Sequence, residues 1–446
     1  WGDALPLLRA LGGPVAPDGD WKGALPLTYH IGPGPAKVRV HLQFDWQVRP
    51  LYNVIARIPG STYPDQWIIQ GSHHDAWVNG AQDPTSSAVA LMEMARSFAE
   101  LRQTGWRPQR TLVFALWDGE EWGLLGSTEW AEHHAEELRQ KAVLYLNTDS
   151  YSWGWLSTAG SHPLRTFAEE VTRDAGDPRS GKGALEALAD RAFSQARTSS
   201  DSARIRVRGY TIDALGSGSD YTVFLDHLSV ASLNMGYGGG QDHGIYHSIY
   251  DSYDFFVRFL DPDFQYGKAQ AGAVGMALAR LADAPVLPWS FVDAARTYDT
   301  YVTELDSLAG KTLSVGALDL SAVRRAAGQL REAGNGFEAA LERAMALGSR
   351  GLAGKGRQLD AINREIYLTE RDLSHPDGLP VRPWFRHTIY APGYYTGYGV
   401  KTMPGIREAI ELNRPEEARA QAAVVAAALD RMTARVKRAT ELLAGL

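Results

Sequence analysis

Cysteine is absent from the 446-residue chain, which excludes disulfides, thiolate metal sites and cysteine nucleophiles. A basic excess is also absent. The 45 Lys and Arg against 52 Asp and Glu give a formal net charge of −7, so nucleic acid is not an expected partner. Long apolar runs are missing, since the alanine-rich stretch 422–429 falls far short of the roughly 20 residues of a membrane span. The remaining composition, 44% hydrophobic and 22% charged, is ordinary for a globular protein of two or three domains.

Short apolar runs alternate with helical spacing from residue 51 onward. A helix is predicted over residues 86–102, where apolar residues recur on one helix face. Strands are predicted over residues 53–58, 67–70, 111–116 and 142–146. This alternation predicts an α/β fold with a mostly parallel sheet flanked by helices. Residues 173–219, which are rich in Gly, Ser, Asp and Arg, are predicted to contain long loops.

The pattern changes to helical from about residue 290. Ala- and Leu-rich stretches at 322–347 and 415–444 have helix spacing, and the segment 375–405 between them is rich in Pro, Gly and Tyr. The sequence therefore predicts a helical bundle that follows the α/β part.

Acidic and imidazole side chains follow three of the predicted strands. His73 and Asp75 come after the second strand, Glu120 and Glu121 after the third, and Asp149 after the fourth. The carboxyl ends of neighbouring strands form the ligand-binding edge of an open α/β sheet, so these residues should converge.

Asp83 and His247 are further candidates for the same site. Two histidines and three carboxylates suit a pair of divalent metal ions, and one carboxylate can bridge both ions. Asp75, two residues after His73, is placed to fix the tautomer of that imidazole. The alternative for any single acid at a strand end is a helix cap or turn. We assign a structural or surface role to His133, His134 and His162.

Five motifs resemble the glutamate carboxypeptidase/transferrin receptor family of zinc peptidases. They are residues 71–78 with Asp83-Pro84, residues 114–130, residues 147–150, residues 215–220 and residues 246–248. Residues 384–392 and 404–406 resemble the C-terminal helical domain of that family. The resemblance implies a zinc exopeptidase fold, with a mixed, mostly parallel sheet, and a helical dimerisation domain.

The resemblance also implies two zinc ions per chain. Asp83 would bridge them, His247 and Glu121 would complete the catalytic zinc, and His73 and Asp149 would complete its partner.

Two further residues take part in the chemistry that the resemblance implies. Glu120 would be the general base and Tyr246 would steady the oxyanion. The expected function is a two-zinc exopeptidase that acts on small peptides in the manner of a carboxypeptidase. The alternatives are an aminopeptidase of the same superfamily and a non-catalytic, receptor-like binding protein.

The substrate-binding positions depart from the family pattern. Asn234 and Gly236 stand where the family has an arginine pair, Ser219 replaces an asparagine, and Tyr398 remains from a lysine-tyrosine pair that Lys401 could complete. Because fixed guanidinium groups are lost, we expect neutral or apolar dipeptides to outcompete N-acylated acidic ones.

The resemblance divides the chain into three regions. Residues 1–46 match the end of an apical, protease-associated region, 47–287 the peptidase domain and 288–446 the dimerisation domain, through which a homodimer is expected. Glu129 and Glu132 match two ligands of a structural calcium site. We expect the rest of the apical region on a separate or cleaved upstream chain, and an extracellular or periplasmic protein with a membrane anchor before Trp1 as one option.

Overall fold

The computed structural model describes residues 2–17, 19, 21–240 and 243–446, apart from the side chains at positions 200, 204, 207 and 208. These residues form two compact units, Trp1–Pro50 and Leu51–Leu446. The first unit has one helix, α1 (Ala4–Arg9), and an antiparallel bridge between Val15 and His30. Trp1, where the predicted first region begins, lies outside the described residues. The three-region division of the chain stays a prediction.

The second unit is built around a six-stranded sheet. Its strands are β1 (Val54–Ile58), β2 (Tyr63–His73), β3 (Arg110–Trp117), β4 (Ala142–Asn147), β5 (Gly154–Gly160) and β6 (Ser232–Gly239). Their order across the sheet is β1-β3-β2-β4-β6-β5. The four central strands run parallel, and β1 and β5 run antiparallel at the two edges. This topology confirms the predicted mixed, mostly parallel sheet.

The central strands are apolar because both of their faces are covered. All six residues of β4 are buried. Every residue of β3 is buried as well, except Leu116, which is half-buried. Such strands have continuous apolar runs instead of alternating ones. The predicted strand at 67–70 extends in the structure to Tyr63–His73, because Ser72 and His73 continue the pairing with β3.

Helices pack on the sheet and on one another. They are α2 (Ser87–Gln103), α3 (Leu125–His133), α4 (Ala135–Lys141), α5 (Arg165–Asp174), α6 (Ala184–Gln195), α7 (Ser199–Arg208), α8 (Tyr253–Phe255) and α9 (Gln265–Asp283). The segment 173–219 contains the predicted long loops, at residues 175–183 and 209–219, but also the two helices α6 and α7, which the sequence analysis does not predict. At the start of α7, Thr198 and Asp201 form a capping box.

The C-terminal part is helical, as the sequence predicts. It contains α10 (Phe291–Thr312), α11 (Ser321–Met345), α12 (Gly348–Leu352), α13 (Gly356–Tyr367), α14 (Pro404–Glu411) and α15 (Pro415–Ala444). A short antiparallel pair, β7 (Tyr390–Pro392) and β8 (Val400–Thr402), lies in the segment 375–405. Among the described residues, none of the helices combines the length and the apolar character that a membrane crossing requires.

Buried polar side chains join the helical part to the sheet. Glu370 accepts hydrogen bonds from Ser161, which follows β5, and from His387, and its side chain is fully buried. His162 is buried as well, with Nε2 2.5 Å from the Tyr301 hydroxyl of α10. Because these contacts cross from one part to the other, the sheet and the helices form one compact unit.

Candidate metal centre

Three neighbouring strands deliver the predicted metal ligands to one edge of the sheet. β2 ends at His73, the turn after β3 carries Glu120 and Glu121, and Asp149 lies two residues beyond the end of β4. Since β3, β2 and β4 are adjacent and parallel, their carboxyl ends meet at this edge. His247 arrives from the loop after β6, with its backbone in the left-handed region at φ +53°.

Asp83 lies between the two histidines. Its Oδ1 is 3.2 Å from His73 Nε2, and its Oδ2 is 3.3 Å from His247 Nε2. His73 Nε2 is also 3.6 Å from Asp149 Oδ1, and His247 Nε2 is 3.0 Å from Glu121 Oε2. Each oxygen of one carboxylate thus faces a separate imidazole–carboxylate pair.

The donor set fits two zinc ions. Zinc–ligand bonds of roughly 2.0–2.1 Å place neighbouring ligands of a tetrahedron about 3.3 Å apart, which is close to the four separations above. Three buried atoms of this cluster, His73 Nε2, Asp83 Oδ1 and Glu121 Oε1, have no hydrogen-bond partner in the described part of the chain. Buried polar atoms are normally paired, so these three are suited to ligate a metal.

Several carboxylates are buried close together at the site. Burial, with neighbouring carboxylates adding to it, raises the pKa of Glu120 to about 9 and that of Glu121 to about 7. Burial also raises the pKa of Asp220, which lies behind the site, to about 7. Bound cations would remove this penalty by compensating the negative charge.

Two carboxylates of the surrounding shell hold the backbone of the predicted ligands. Asp75 accepts hydrogen bonds from the backbone N–H of Glu120 at 2.9 Å and of Glu121 at 3.2 Å. His73 Nδ1 lies 3.0 Å from the carbonyl oxygen of Asp75 and 3.6 Å from its carboxylate. The backbone carbonyl of Asp75 is therefore nearer to the His73 ring than the Asp75 carboxylate is, whereas the sequence predicts the carboxylate as the partner of the ring. Asp251 binds the backbone of Gln82 and Asp83 in the same way, at 2.7 and 3.0 Å.

Glu120 and Tyr246 lie beside the cluster. Glu120 Oε2 is 3.9 Å from His73 Nε2, and Glu120 can share a metal site with His73 and Asp149. The ring of Tyr246 stacks on His247 with centroids 3.7 Å apart, and the tyrosine is 65% exposed. Partial burial raises the pKa of Tyr246, so its hydroxyl stays protonated and can donate a hydrogen bond.

A cleft of about 850 Å³ opens over the cluster. The predicted substrate-binding residues Ser219, Asn234 and Tyr398 line it. Asn147 Nδ2 donates to Ser219 Oγ at 2.9 Å and to Asn234 Oδ1 at 3.0 Å, which fixes both side chains. Tyr398 is mostly exposed at the cleft.

Lys401 and the predicted calcium ligands lie elsewhere. Lys401 pairs with Glu411 at 2.7 Å and is not among the residues that line the cleft, and its role in substrate binding stays a prediction. Its position on β8 directs it to the neighbouring helix α14. Glu129 and Glu132 lie three residues apart on α3, and Glu132 accepts a hydrogen bond from Trp384 Nε1 at 2.6 Å. Their calcium site stays a prediction.

Sequence reasoning missed two acidic residues and one basic residue of the site. Asp220 is the last residue of the 215–220 motif, and Asp251 follows His247 by four residues. The position of Asp251 next to the 246–248 motif was a signal that could have found it. Arg191 also lines the cleft, but it lies in none of the five motifs, so the sequence offers no signal for it.

Comparison with known proteins shows two matching domains. The model for peptidase family M28 matches residues 53–258, and that for the transferrin receptor-like dimerisation domain matches residues 318–437. The probable glutamate carboxypeptidase LAMP1 of Arabidopsis thaliana is 34% identical over 417 residues, covering 92% of this chain and 55% of that protein. Aminopeptidase NAALADL1 of Rattus norvegicus is 30% identical over 466 residues, covering 99% of this chain and 60% of that protein.

Among solved structures, BSAP, a zinc aminopeptidase from Bacillus subtilis, has a TM-score of 0.38 and 17% identity, over 52% of this chain and 50% of that chain. The chain spans 55% and 60% of the lengths of the two relatives above. The matches of residues 53–258 to peptidase family M28 and of residues 318–437 to the transferrin receptor-like dimerisation domain confirm the family that the motifs predict.

Proposed function

We propose that the chain is a zinc-dependent exopeptidase with two metal ions per chain. Asp83 would bridge the ions, with His73 and Asp149 on one side and His247 and Glu121 on the other. The observation that carries the proposal is the placement of Asp83, whose two oxygens lie 3.2 and 3.3 Å from the two imidazoles. Membership of peptidase family M28 supports peptide-bond hydrolysis as the reaction.

Glu120 has the position of a general base and acid, because it lines the cleft beside the metal ligands. When bound, the zinc ions lower the pKa of a water molecule and polarise the peptide carbonyl. Glu120 lines the cleft and can take a proton from that water. With the proton it has taken, Glu120 can then protonate the leaving amine. Asp75 keeps Glu120 and Glu121 in place through their backbone N–H groups.

Tyr246 would stabilise the charge that develops on the carbonyl oxygen. Its hydroxyl lies on a ring that stacks on His247 and lines the cleft, so it can donate a hydrogen bond beside the cluster. A donor held in advance at this point stabilises the transition state more than the substrate.

The terminus that is attacked distinguishes two candidate functions. The curated relatives include proteins named carboxypeptidase and proteins named aminopeptidase. A carboxypeptidase needs a group for the terminal carboxylate next to the bond cleaved, and the described lining near Glu120 contains no Lys or Arg. This observation favours an aminopeptidase as the second candidate, since the carboxylates there can bind an α-ammonium group.

The proposed function is tested by metal content and turnover. We expect the purified protein to contain zinc and to hydrolyse members of a dipeptide panel, and Glu120→Gln to lose turnover but retain zinc. Substrates with a blocked amino terminus or a blocked carboxyl terminus then identify the terminus attacked. Zinc without turnover of any peptide would contradict the proposal and favour a non-catalytic, receptor-like binding protein.

Homodimerisation through the helical domain is part of the proposal. It is supported by the match of residues 318–437 to the transferrin receptor-like dimerisation domain. Sedimentation equilibrium should give twice the chain mass of 48.8 kDa, and a mass of one chain would contradict it. The calcium site at Glu129 and Glu132 is tested separately, by calcium binding to the parent and to Glu129→Gln.

A further inference from the structure

Arg191 is the one Lys or Arg side chain that lines the cleft within the part of the chain that the structure describes. It projects from α6, which packs beside β5 at the edge of the sheet. The cleft wall nearest the metal centre is instead rich in carboxylates, from Asp83, Glu120, Glu121 and Asp149. The two ends of the cleft therefore differ in the sign of their charge.

The guanidinium of Arg191 is held in place by two contacts. Its Nη2 donates to the carbonyl oxygen of Gly239 at 3.3 Å, and its Cζ lies 4.1 Å from the ring centroid of Trp155. No carboxylate of the described residues pairs with it. Stacking on an aromatic face orients a guanidinium and leaves its edge free to bind a planar anion.

A second guanidinium shares the same aromatic support. Arg179 Cζ lies 5.6 Å from the Trp155 ring and 5.5 Å from the Trp153 ring. No described carboxylate pairs with Arg179 either. The two guanidinium groups on these indole rings form a local cluster of positive charge in a chain whose net charge is −7, and Arg191 is the member of the cluster that lines the cleft.

β6 gives the distance between this surface and the metal centre. Asn234, near the start of the strand, bonds to Asn147, which lies two residues before Asp149. Gly239, which accepts the bond from Arg191, is five residues further along the same strand. At about 3.3 Å per residue this is roughly 16 Å, and an extended peptide in the cleft would cover it with about five residues.

We propose that Arg191, assisted by Arg179, forms a subsite for a carboxylate that a peptide substrate carries about five residues from the bond cleaved. The inference rests on the proposed function and deepens it, because it assigns an acidic residue or a terminal carboxylate to one position of the substrate. Arg191 here is a specificity-determining residue and takes no part in bond cleavage. The preference for neutral dipeptides concerns groups next to the metal centre and is independent of this subsite.

Peptide binding to the zinc-loaded Glu120→Gln variant tests the subsite without turnover. Two fluorescent hexapeptide pairs are used, each differing only by Glu or Gln at the residue far from the scissile bond. One pair has a free amino terminus and an amidated carboxyl terminus, and the other an acetylated amino terminus and a free carboxyl terminus. We expect the Glu peptide of the pair that suits the true terminus to bind about five- to tenfold more tightly, because charge-assisted hydrogen bonds are partly screened at an open site.

Arg191→Gln should bring the ratio of the two Kd values close to one, and Arg191→Lys should restore part of it. Arg96→Gln, on the exposed face of α2, is the matched control and should leave the ratio unchanged. Equal Kd values for Glu and Gln in both pairs would overturn the proposal, and so would a preference that survives Arg191→Gln. Since binding is measured in a variant that cannot turn over, these outcomes are separate from failure of the proposed peptidase activity.

Discussion

Asp251 holds Asp83 by its backbone. The two carboxylate oxygens of Asp251 accept the N–H groups of Gln82 at 2.7 Å and of Asp83 at 3.0 Å, although 168 residues separate Asp251 from Asp83 in the sequence. Because the N–H groups of both Gln82 and Asp83 are bound, the backbone at Asp83 is fixed. The Asp83 carboxylate is thereby held between the two imidazoles. Asp251 is thus a positioning residue for the metal centre.

Asp251→Asn should weaken zinc binding. An amide offers one acceptor oxygen in place of two, and its NH2 group would face the N–H of residue 82 or 83. Loss of such a supporting carboxylate typically costs 10–100-fold in metal affinity, and we expect an effect of about that size. Competition with a zinc chelator measures it. Asp254→Asn, an exposed acid three residues further on, is the control, and equal affinities of the two variants would contradict the role of Asp251.

Tyr246→Phe should lower kcat and leave KM nearly unchanged. The hydroxyl is assigned to the transition state, so its removal should reduce kcat by about 10²–10³-fold. The stacked ring remains, and the tyrosine is 65% exposed, so the melting temperature should not change. Tyr250→Phe, four residues away and 60% exposed, serves as the control. A parent-like kcat for Tyr246→Phe would remove Tyr246 from the mechanism.

The metal-free protein should lose stability as the pH rises. The pKa of Glu120 is raised to about 9 and that of Glu121 to about 7, so the folded state holds protons that the unfolded state releases above about pH 4.5. The stability of the chelated protein should therefore fall between pH 5 and pH 9, and zinc should remove most of this dependence. Melting temperatures with EDTA and with zinc measure the effect. A flat pH profile in EDTA would refute it.

His162 should make the protein less stable in mild acid. Burial lowers its pKa to about 3, so between pH 6.5 and pH 3 the unfolded state binds a proton that the folded state excludes. Stability due to this group is present above pH 6.5 and is lost as the pH falls, by about 3 kcal/mol at pH 4.5.

Denaturant unfolding of His162→Gln at pH 7.0 and pH 4.5 should show a smaller difference between the two pH values than in the parent. His133→Gln, at an exposed position, should retain the parent difference. If His162→Gln keeps the full difference as well, acid sensitivity arises elsewhere.

The sequence predicts those parts of the fold that local pattern determines. The strand runs at 111–116 and 142–146 became β3 and β4 within one residue at each end, because a strand buried on both faces is apolar throughout. β5 and β6 are not predicted from the sequence, because glycines interrupt the apolar pattern that marks a strand. In β6 these are Gly236, Gly238 and Gly239. α6 and α7 lie in the segment for which long loops are predicted: polar residues dominate the sequence of α7, and in α6 only Ala184 and Ala187 are buried.

The candidate site likewise has residues that local pattern predicts and residues that it does not. His73, Glu121 and Asp149 could be brought together from the sequence, because the ends of adjacent parallel strands share one edge. The backbone contacts of Asp251, the pairing of Lys401 with Glu411 and the position of Arg191 depend on how distant segments pack. No local pattern contains that information.

The glycines of β6 also set how long a peptide the cleft can accept. Gly238 lies between Asn234 and the Gly239 carbonyl that holds Arg191, and a Cβ there would meet only the Ser152 hydroxyl, at 3.8 Å. Larger side chains at residue 238 would fit the backbone but block the path along the strand. If the chain is the proposed exopeptidase, Gly238→Leu should therefore restrict its substrates to peptides of about four residues or fewer, since residue 238 is four residues beyond Asn234 on the strand.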